Sequence, residues 1–152
     1  MGIIITVVFS AIILFLGYRI INTLNVRVYK NNIDWKISND TANREETLAI
    51  LNYATNKKID LDKGKKYINY AEQKFPDDKE VLLIIGKYYL ELEQPKLAYE
   101  YIEKANRVYP NQADVLCNMG LYYYRIGELK NAQEFKDKAI EIDNDYTNFK
   151  FN

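Results

Sequence analysis

The side chains best equipped for chemistry are a few carboxylates and one thiol. Asp60-Leu-Asp62-Lys-Gly64 opens like a calcium-binding loop. Such a loop needs glycine at its sixth position and glutamate at its twelfth. Those positions hold Lys65 and Ala71, so the pattern fails and Asp62 reads as a helix cap. Asp77-Asp78 and the pair Asp143 and Asp145 sit at turns, where acidic residues cap helices more often than they catalyse. Cys117 is the single cysteine, which excludes an internal disulfide or a thiolate zinc cluster. Histidine is absent, so the thiol has no imidazole partner and the commonest general base and metal ligand is missing. No glycine-rich phosphate loop or nucleophile elbow occurs. The expectation is a protein without catalytic residues, metal or cofactor.

Charge narrows the partners. Lys+Arg and Asp+Glu number 21 each, a net of zero, which argues against a protein that coats nucleic acid. Lys57-Lys58 and Lys63-Lys65-Lys66 are interleaved with Asp60 and Asp62, as on a solvated face. The 14 tyrosines could stack on bases, but most fall at helix-packing phases. With 152 residues the chain has room for one domain.

The hydrophobic 48% is distributed unevenly. Residues 2–18 carry no charge, and as a helix these 17 residues would span roughly 25 Å. Snorkelling of Arg19 extends the apolar stretch to Leu24. A cleavable signal would bring a basic leader and a small-residue cleavage site, and a lipoprotein signal a nearby cysteine; neither is evident. A buried core helix would show a polar face, and only Thr6 and Ser10 offer one. Residues 2–24 are therefore expected to be a single transmembrane anchor, followed by a juxtamembrane linker over 25–44. Arg19, Arg27, Lys30, Lys36 and Arg44 against Asp34 and Asp40 place the C-terminal side in the cytoplasm by the positive-inside rule. The extracytoplasmic orientation is the alternative. Trp35, Tyr29 and the basic residues could hold the linker near lipid headgroups, or it could be an ordinary solvated segment. Gly2, Thr6 and Ser10 form a small-residue ridge that could pack another helix.

The remainder repeats at a fixed period. Leu82, Ile85, Gly86, Tyr89, Ala98, Ile102, Ala105 and Pro110 recur 34 residues later as Leu116, Met119, Gly120, Tyr123, Ala132, Lys136, Ala139 and Asn144. The same step backwards meets Leu48, Leu51, Asn52, Thr55, Gly64, Ile68, Ala71 and Pro76. Leu82, Ile85 and Tyr89 stand at helical spacing, as do Leu116, Met119 and Tyr123. A helix-interior glycine costs about 1 kcal/mol relative to alanine, so Gly86 and Gly120 are expected where another helix approaches, with Ala98 and Ala132 as the matching small surface. Turns are expected at 56–60, at Gln94-Pro95 and at Ile126-Gly127. Pro76-Asp77-Asp78 and Pro110-Asn111 end one hairpin and offer caps to the next. This period and pattern resemble the tetratricopeptide repeat (TPR). The resemblance implies an all-α fold: the N-terminal transmembrane helix, then a right-handed solenoid of three helix hairpins. A degenerate first repeat covers 45–78, the second 79–112 and the third 113–146, with an aromatic tail over 147–152.

The resemblance also implies a concave groove lined by the first helix of each unit. The family's groove phases select Glu46, Ala49, Tyr53, Asn56 and Lys57, then Glu80, Leu83, Lys87, Leu90 and Glu91, then Asp114, Cys117, Leu121, Tyr124 and Arg125. Its expected partner-binding residues are Tyr53, Leu83, Lys87, Leu90, Leu121, Tyr124 and Arg125, an apolar middle with cations beside it. The alternative is that some of these side chains merely touch the adjacent unit. Ala49 and Tyr53 break the clamp with which related proteins grip acidic chaperone tails, so an extended or helical apolar segment is the expected ligand. Tyr146, Phe149 and Phe151 could fold over Phe135, Ala139 and Ile142 or engage another protein, including a second copy through the C-terminal end. The reading is a small bacterial membrane-anchored adaptor for a protein or peptide partner, touching the lipid bilayer through 2–24 and no nucleic acid. An extracytoplasmic assembly factor and a structural subunit of a membrane complex are the alternatives.

Overall fold

The computed structural model describes residues 23–151. The expected anchor over 2–24 lies outside them except for Thr23 and Leu24. Among the described residues no helix is long and apolar enough to cross a membrane.

Two compact units divide at residue 42. In the first, residues 23–38 are helical (α1), so the chain expected as a linker is regular over most of its length. Lys30 pairs with Asp34 one turn on, and Ser38 donates to the Asp34 carbonyl. Asp40, at φ 59°, follows the helix end.

The second unit consists of six α-helices: α2 (Arg44–Asn56), α3 (Leu61–Lys74), α4 (Lys79–Glu91), α5 (Pro95–Val108), α6 (Ala113–Arg125) and α7 (Leu129–Ile142). A 3-10 turn, Asn144–Asn148, follows. The helices form antiparallel hairpins, α2 with α3, α4 with α5 and α6 with α7, and the leading helices pack side by side, α2 on α4 and α4 on α6. Local chemistry sets their starts. Asn43 and Glu46 make a reciprocal capping box at α2. Asp60 and Asp78 cap α3 and α4 by accepting from Lys63 N and Val81 N. The cap of α3 is therefore Asp60, two residues earlier than the Asp62 expected; Asp62 lies in the first helical turn. Pro95 begins α5, where its missing N–H removes nothing.

The hairpins share one loop design. After α2 the Ile59 N–H donates to Ala54 O and the Lys58 N–H to Thr55 O. After α4 the bonds are Gln94 to Tyr89 and Glu93 to Leu90, and after α6 they are Glu128 to Tyr123 and Gly127 to Tyr124. This Schellman closure needs a left-handed residue, supplied by Lys58, Glu93 and Gly127 at φ 48°, 56° and 82°. The second helices also end alike: Phe75, Tyr109 and Asp143 N–H groups donate to Ala71, Ala105 and Ala139. Burial repeats in step, since Leu48, Leu82 and Leu116, then Leu51, Ile85 and Met119, then Ala71, Ala105 and Ala139 are all buried. The α2–α3 hairpin thus closes its loop as the other two do despite its weaker sequence pattern, but its two helices pack much less closely.

The small residues sit at the crossings. A Cβ on Gly86 would stand 2.5 Å from Ile102 Cγ1 on α5, as expected of a close hairpin. On Gly120 it would meet Ala132 O at 3.1 Å, but also Phe151 Cζ at 2.9 Å, so the tail as well as α7 needs this glycine. On Gly64 it would lie 2.0 Å from the Tyr88 hydroxyl. That hydroxyl reaches over α3 to donate to Ile59 O (2.7 Å) and Asp60 O (3.1 Å), which joins α4 to the preceding loop.

Candidate functional site

The candidate surface is the layer of leading helices, α2, α4 and α6. Of the seven expected contact residues, the structure leaves Lys87 and Tyr124 exposed and Tyr53 half-buried. Leu83, Leu90 and Leu121 are buried, at 7%, 4% and 8% exposure, so a ligand would not meet them directly. Leu83 clusters with Leu82, Ala105 and Val115, with Tyr101 and Tyr109 against them, which makes it mortar between consecutive hairpins. At about 100° per residue these leucines share one side of the leading helices. Neighbouring units stand close enough to cover that face.

Arg125 is committed as well. Its guanidinium donates to Glu91 Oε1 at 2.6 Å, while Lys58 Nζ holds Glu91 Oε2 at 3.0 Å. One carboxylate near the end of α4 thus ties all three hairpins together along one edge of the layer. Burial raises the Glu91 pKa, but Lys58 and Arg125 outweigh it and hold the group below its ordinary value. The helix starts carry a matching row. Arg44 Nε meets Asp78 Oδ2 at 2.6 Å and its Nη2 reaches Glu80 at 3.3 Å; Lys79 Nζ meets Asp114 at 2.8 Å. Desolvation pushes Asp78 up, and Arg44 with the Val81 N–H brings it below the usual carboxylate range. Arg44 with Asp78 and Glu91 with Arg125 are opposite charges 34 residues apart. That was the signal available in the sequence for this ladder.

The aromatic residues follow the same period. Tyr89 stacks on Tyr101 with ring centroids 5.5 Å apart, and 34 residues on Tyr123 stacks on Phe135 at 5.3 Å. Burial raises the Tyr89 and Tyr123 hydroxyl pKa values, consistent with packing residues. The Tyr101 hydroxyl donates to Glu72 Oε1 at 2.6 Å across a cleft of about 530 Å³ that Glu100, Lys104 and Arg107 also line. Lys104 there donates to Pro76 O at 2.7 Å and pairs with Asp77 at 3.0 Å, and Arg107 pairs with Glu103 at 3.1 Å, so Glu72, Tyr101, Lys104 and Arg107 are all held by the protein itself.

The C-terminal tail closes the last hairpin. Tyr146 and Phe149 pack, with Phe135, against Ala113, Leu116, Cys117 and Ala139. Phe151 stacks on Tyr124 at 5.4 Å and meets Phe149 edge-on at 5.5 Å. Of the contacts anticipated for the tail, Ala139 lies in the cluster that Tyr146 and Phe149 cover, with Phe135 beside them, whereas Ile142 stays 50% exposed. Contact with α6 through Tyr124 and Gly120 was not legible in the repeat pattern, because these six residues lie beyond the period. Cys117 is buried, and burial pushes its thiol up to about 11, an inert interior position. Among the described residues no group of three or more carboxylate or cysteine side chains could hold a metal ion.

Two consecutive segments, residues 80–112 and 113–146, match the family described as Tetratricopeptide repeat. They correspond to the α4–α5 and α6–α7 hairpins, and the match supports a TPR assignment for this part of the chain. No curated protein matches the chain. Arrays of this kind are protein-interaction modules, whose stacked units present extended binding surfaces.

Proposed function

We propose that this protein is a membrane-anchored TPR adaptor that holds a segment of a partner protein against its leading helices without catalysing a reaction. The shared closure of the three hairpins carries the reading, because it supports a divergent first repeat over 45–78 beside the two matched ones. Three stacked units give a layer broad enough for a peptide. With its leucines buried, that layer offers Tyr53, Lys87 and Tyr124 to a ligand. The fitting partner is an extended or helical segment with apolar side chains for the tyrosines and a carboxylate for Lys87. Residues 2–24 serve as the single membrane span, with the repeats on the cytoplasmic side; the charge-free run and the basic flank support this. Tethering raises the local concentration of a partner, so a weak contact suffices. The tail is folded on its own hairpin, which favours an adaptor over a subunit held through that tail.

A photo-crosslinking residue at Lys87 in the full chain, expressed in membranes, tests the binding face, with one at Lys130 on the exposed side of α7 as control. A discrete adduct from position 87, absent from position 130 and lost when Tyr53 and Tyr124 are both changed to Ser, is expected. Equal labelling from both positions would refute the binding face. Orientation is tested separately with Cys117→Ser and Asn152→Cys. Protection from an impermeant maleimide in intact cells is expected; labelling there would make the extracytoplasmic assembly factor the better reading.

A further inference from the structure

Helix α1 carries apolar side chains on two sides, and only part of them is buried. At about 100° per residue, Ile33 and Ile37 share one side of the helix, and Leu24, Val28 and Trp35 project within about 40° of one another on the opposite side. Ile33 and Ile37 are buried at 1% and 6% exposure, whereas Leu24, Val28 and Trp35 are 54%, 67% and 62% exposed. Asn31, Asn32 and Arg27 flank the exposed stripe and are themselves exposed. An apolar stripe with polar and cationic margins is the pattern of a helix lying in a membrane interface.

The chain that precedes the stripe names its occupant. Residues 2–22 contain one charge, Arg19, and the stripe begins at Leu24, directly after that run. We infer that α1 lies along the headgroup layer, with Leu24, Val28 and Trp35 facing the acyl boundary and Arg27 among anionic headgroups. The inference rests on residues 2–24 being the membrane span proposed above. Geometry makes it demanding. Trp35 lies 11 residues beyond Leu24, about 16 Å along a helix axis, while each headgroup layer is only about 5–8 Å deep. A helix leaving along the bilayer normal would carry Trp35 clear of the lipid. Only a helix running along the surface keeps all three side chains in contact with it.

Trp35 is the sole tryptophan, so its emission reports the stripe without a label. The full chain is reconstituted into phosphatidylglycerol–phosphatidylcholine vesicles, with and without brominated acyl chains, and floated on a density gradient. The expected result is a floating chain whose emission is blue-shifted from the urea-unfolded state, shielded from aqueous iodide and quenched in bromolipid, as an interfacial position requires. Val28→Asp should restore iodide access while the chain still floats. A floating wild-type chain open to iodide and insensitive to bromolipid would overturn the inference and leave the span standing. Emission shielded from both quenchers would also overturn it, because protein rather than lipid would then cover the stripe. A chain that fails to float would remove the span, and the inference with it.

Discussion

Gly64→Ala places a methyl group where the Tyr88 side chain stands. The new Cβ would lie 2.0 Å from the hydroxyl and 2.6 Å from Cζ, so the ring must retreat by more than an ångström. Tyr88 is 1% exposed, packs edge-on against Tyr89 at 5.7 Å, and is pinned by the Ile59 and Asp60 carbonyls. Overpacking of this kind costs about 1–3 kcal/mol. Pulling the hydroxyl from its acceptors adds about 1 kcal/mol, and the better helix propensity of alanine returns about 1 kcal/mol. The net destabilisation is about 2 kcal/mol, a fall of roughly 8 °C in Tm for a domain of this size. Tyr88→Phe alone should cost about 1 kcal/mol through its lost hydrogen bonds. In the double variant the closest clash and the hydrogen bonds are both already gone, although Cζ still crowds the methyl. Its cost should fall short of the sum by about 1 kcal/mol. Urea titration of the full chain in detergent, followed by far-ultraviolet circular dichroism, measures all four corners of the cycle. Additive costs, or a Gly64→Ala chain stabilised by helix propensity alone, would refute the reasoning.

Phe151→Ala should lower stability by about 1–2 kcal/mol, since it bares the Gly120 crossing and unstacks Tyr124. Tyr124→Ala should add little in that background, as the same urea titration would show. Glu91 and Asp78 are held below their ordinary values of 4.5 and 3.8, so each stabilises the fold fully above those values. As pH falls through them the unfolded chain takes up protons first, and stability should drop. The urea midpoint should therefore be level from pH 7 to about 5 and decline below it, and Glu91→Gln should flatten part of that decline. Cys117, with its thiol raised to about 11 by burial, should resist a disulfide reagent at pH 8 in the folded chain and react at once in urea.

The period of 34 was legible because helical packing repeats its demands. Leucine, glycine and alanine recur wherever one hairpin meets the next, and no tertiary information is needed to count the interval. The first hairpin was less legible: Asn52 and Thr55 stand where later units carry glycine and tyrosine. Its loop nevertheless closes like the others, because a Schellman turn is set by backbone hydrogen bonds and tolerates Lys58 in the left-handed conformation as well as Gly127. The cap of α3 was misplaced by two residues, since both Asp60 and Asp62 are good caps and only the loop geometry selects Asp60.

The sequence by itself determined the charge-free N-terminal run, the helix phases, the hairpin count and the poverty of catalytic groups, for each is a property of residue type and spacing along the chain. Tertiary structure decided which of those faces meet solvent. Leu83, Leu90 and Leu121 have the phase of a binding face, yet they are buried, while Tyr53, Lys87 and Tyr124 on the same helices remain within reach. Arg125 has the phase of a ligand-binding cation, yet Glu91 holds it. The tail follows no period, and only the folded chain shows that Tyr146 and Phe149 pack against Leu116, Cys117 and Ala139 and that Phe151 stacks on Tyr124. A helix phase assigns a direction to a side chain, and only the neighbouring chain that arrives there, or fails to, makes that direction core or surface.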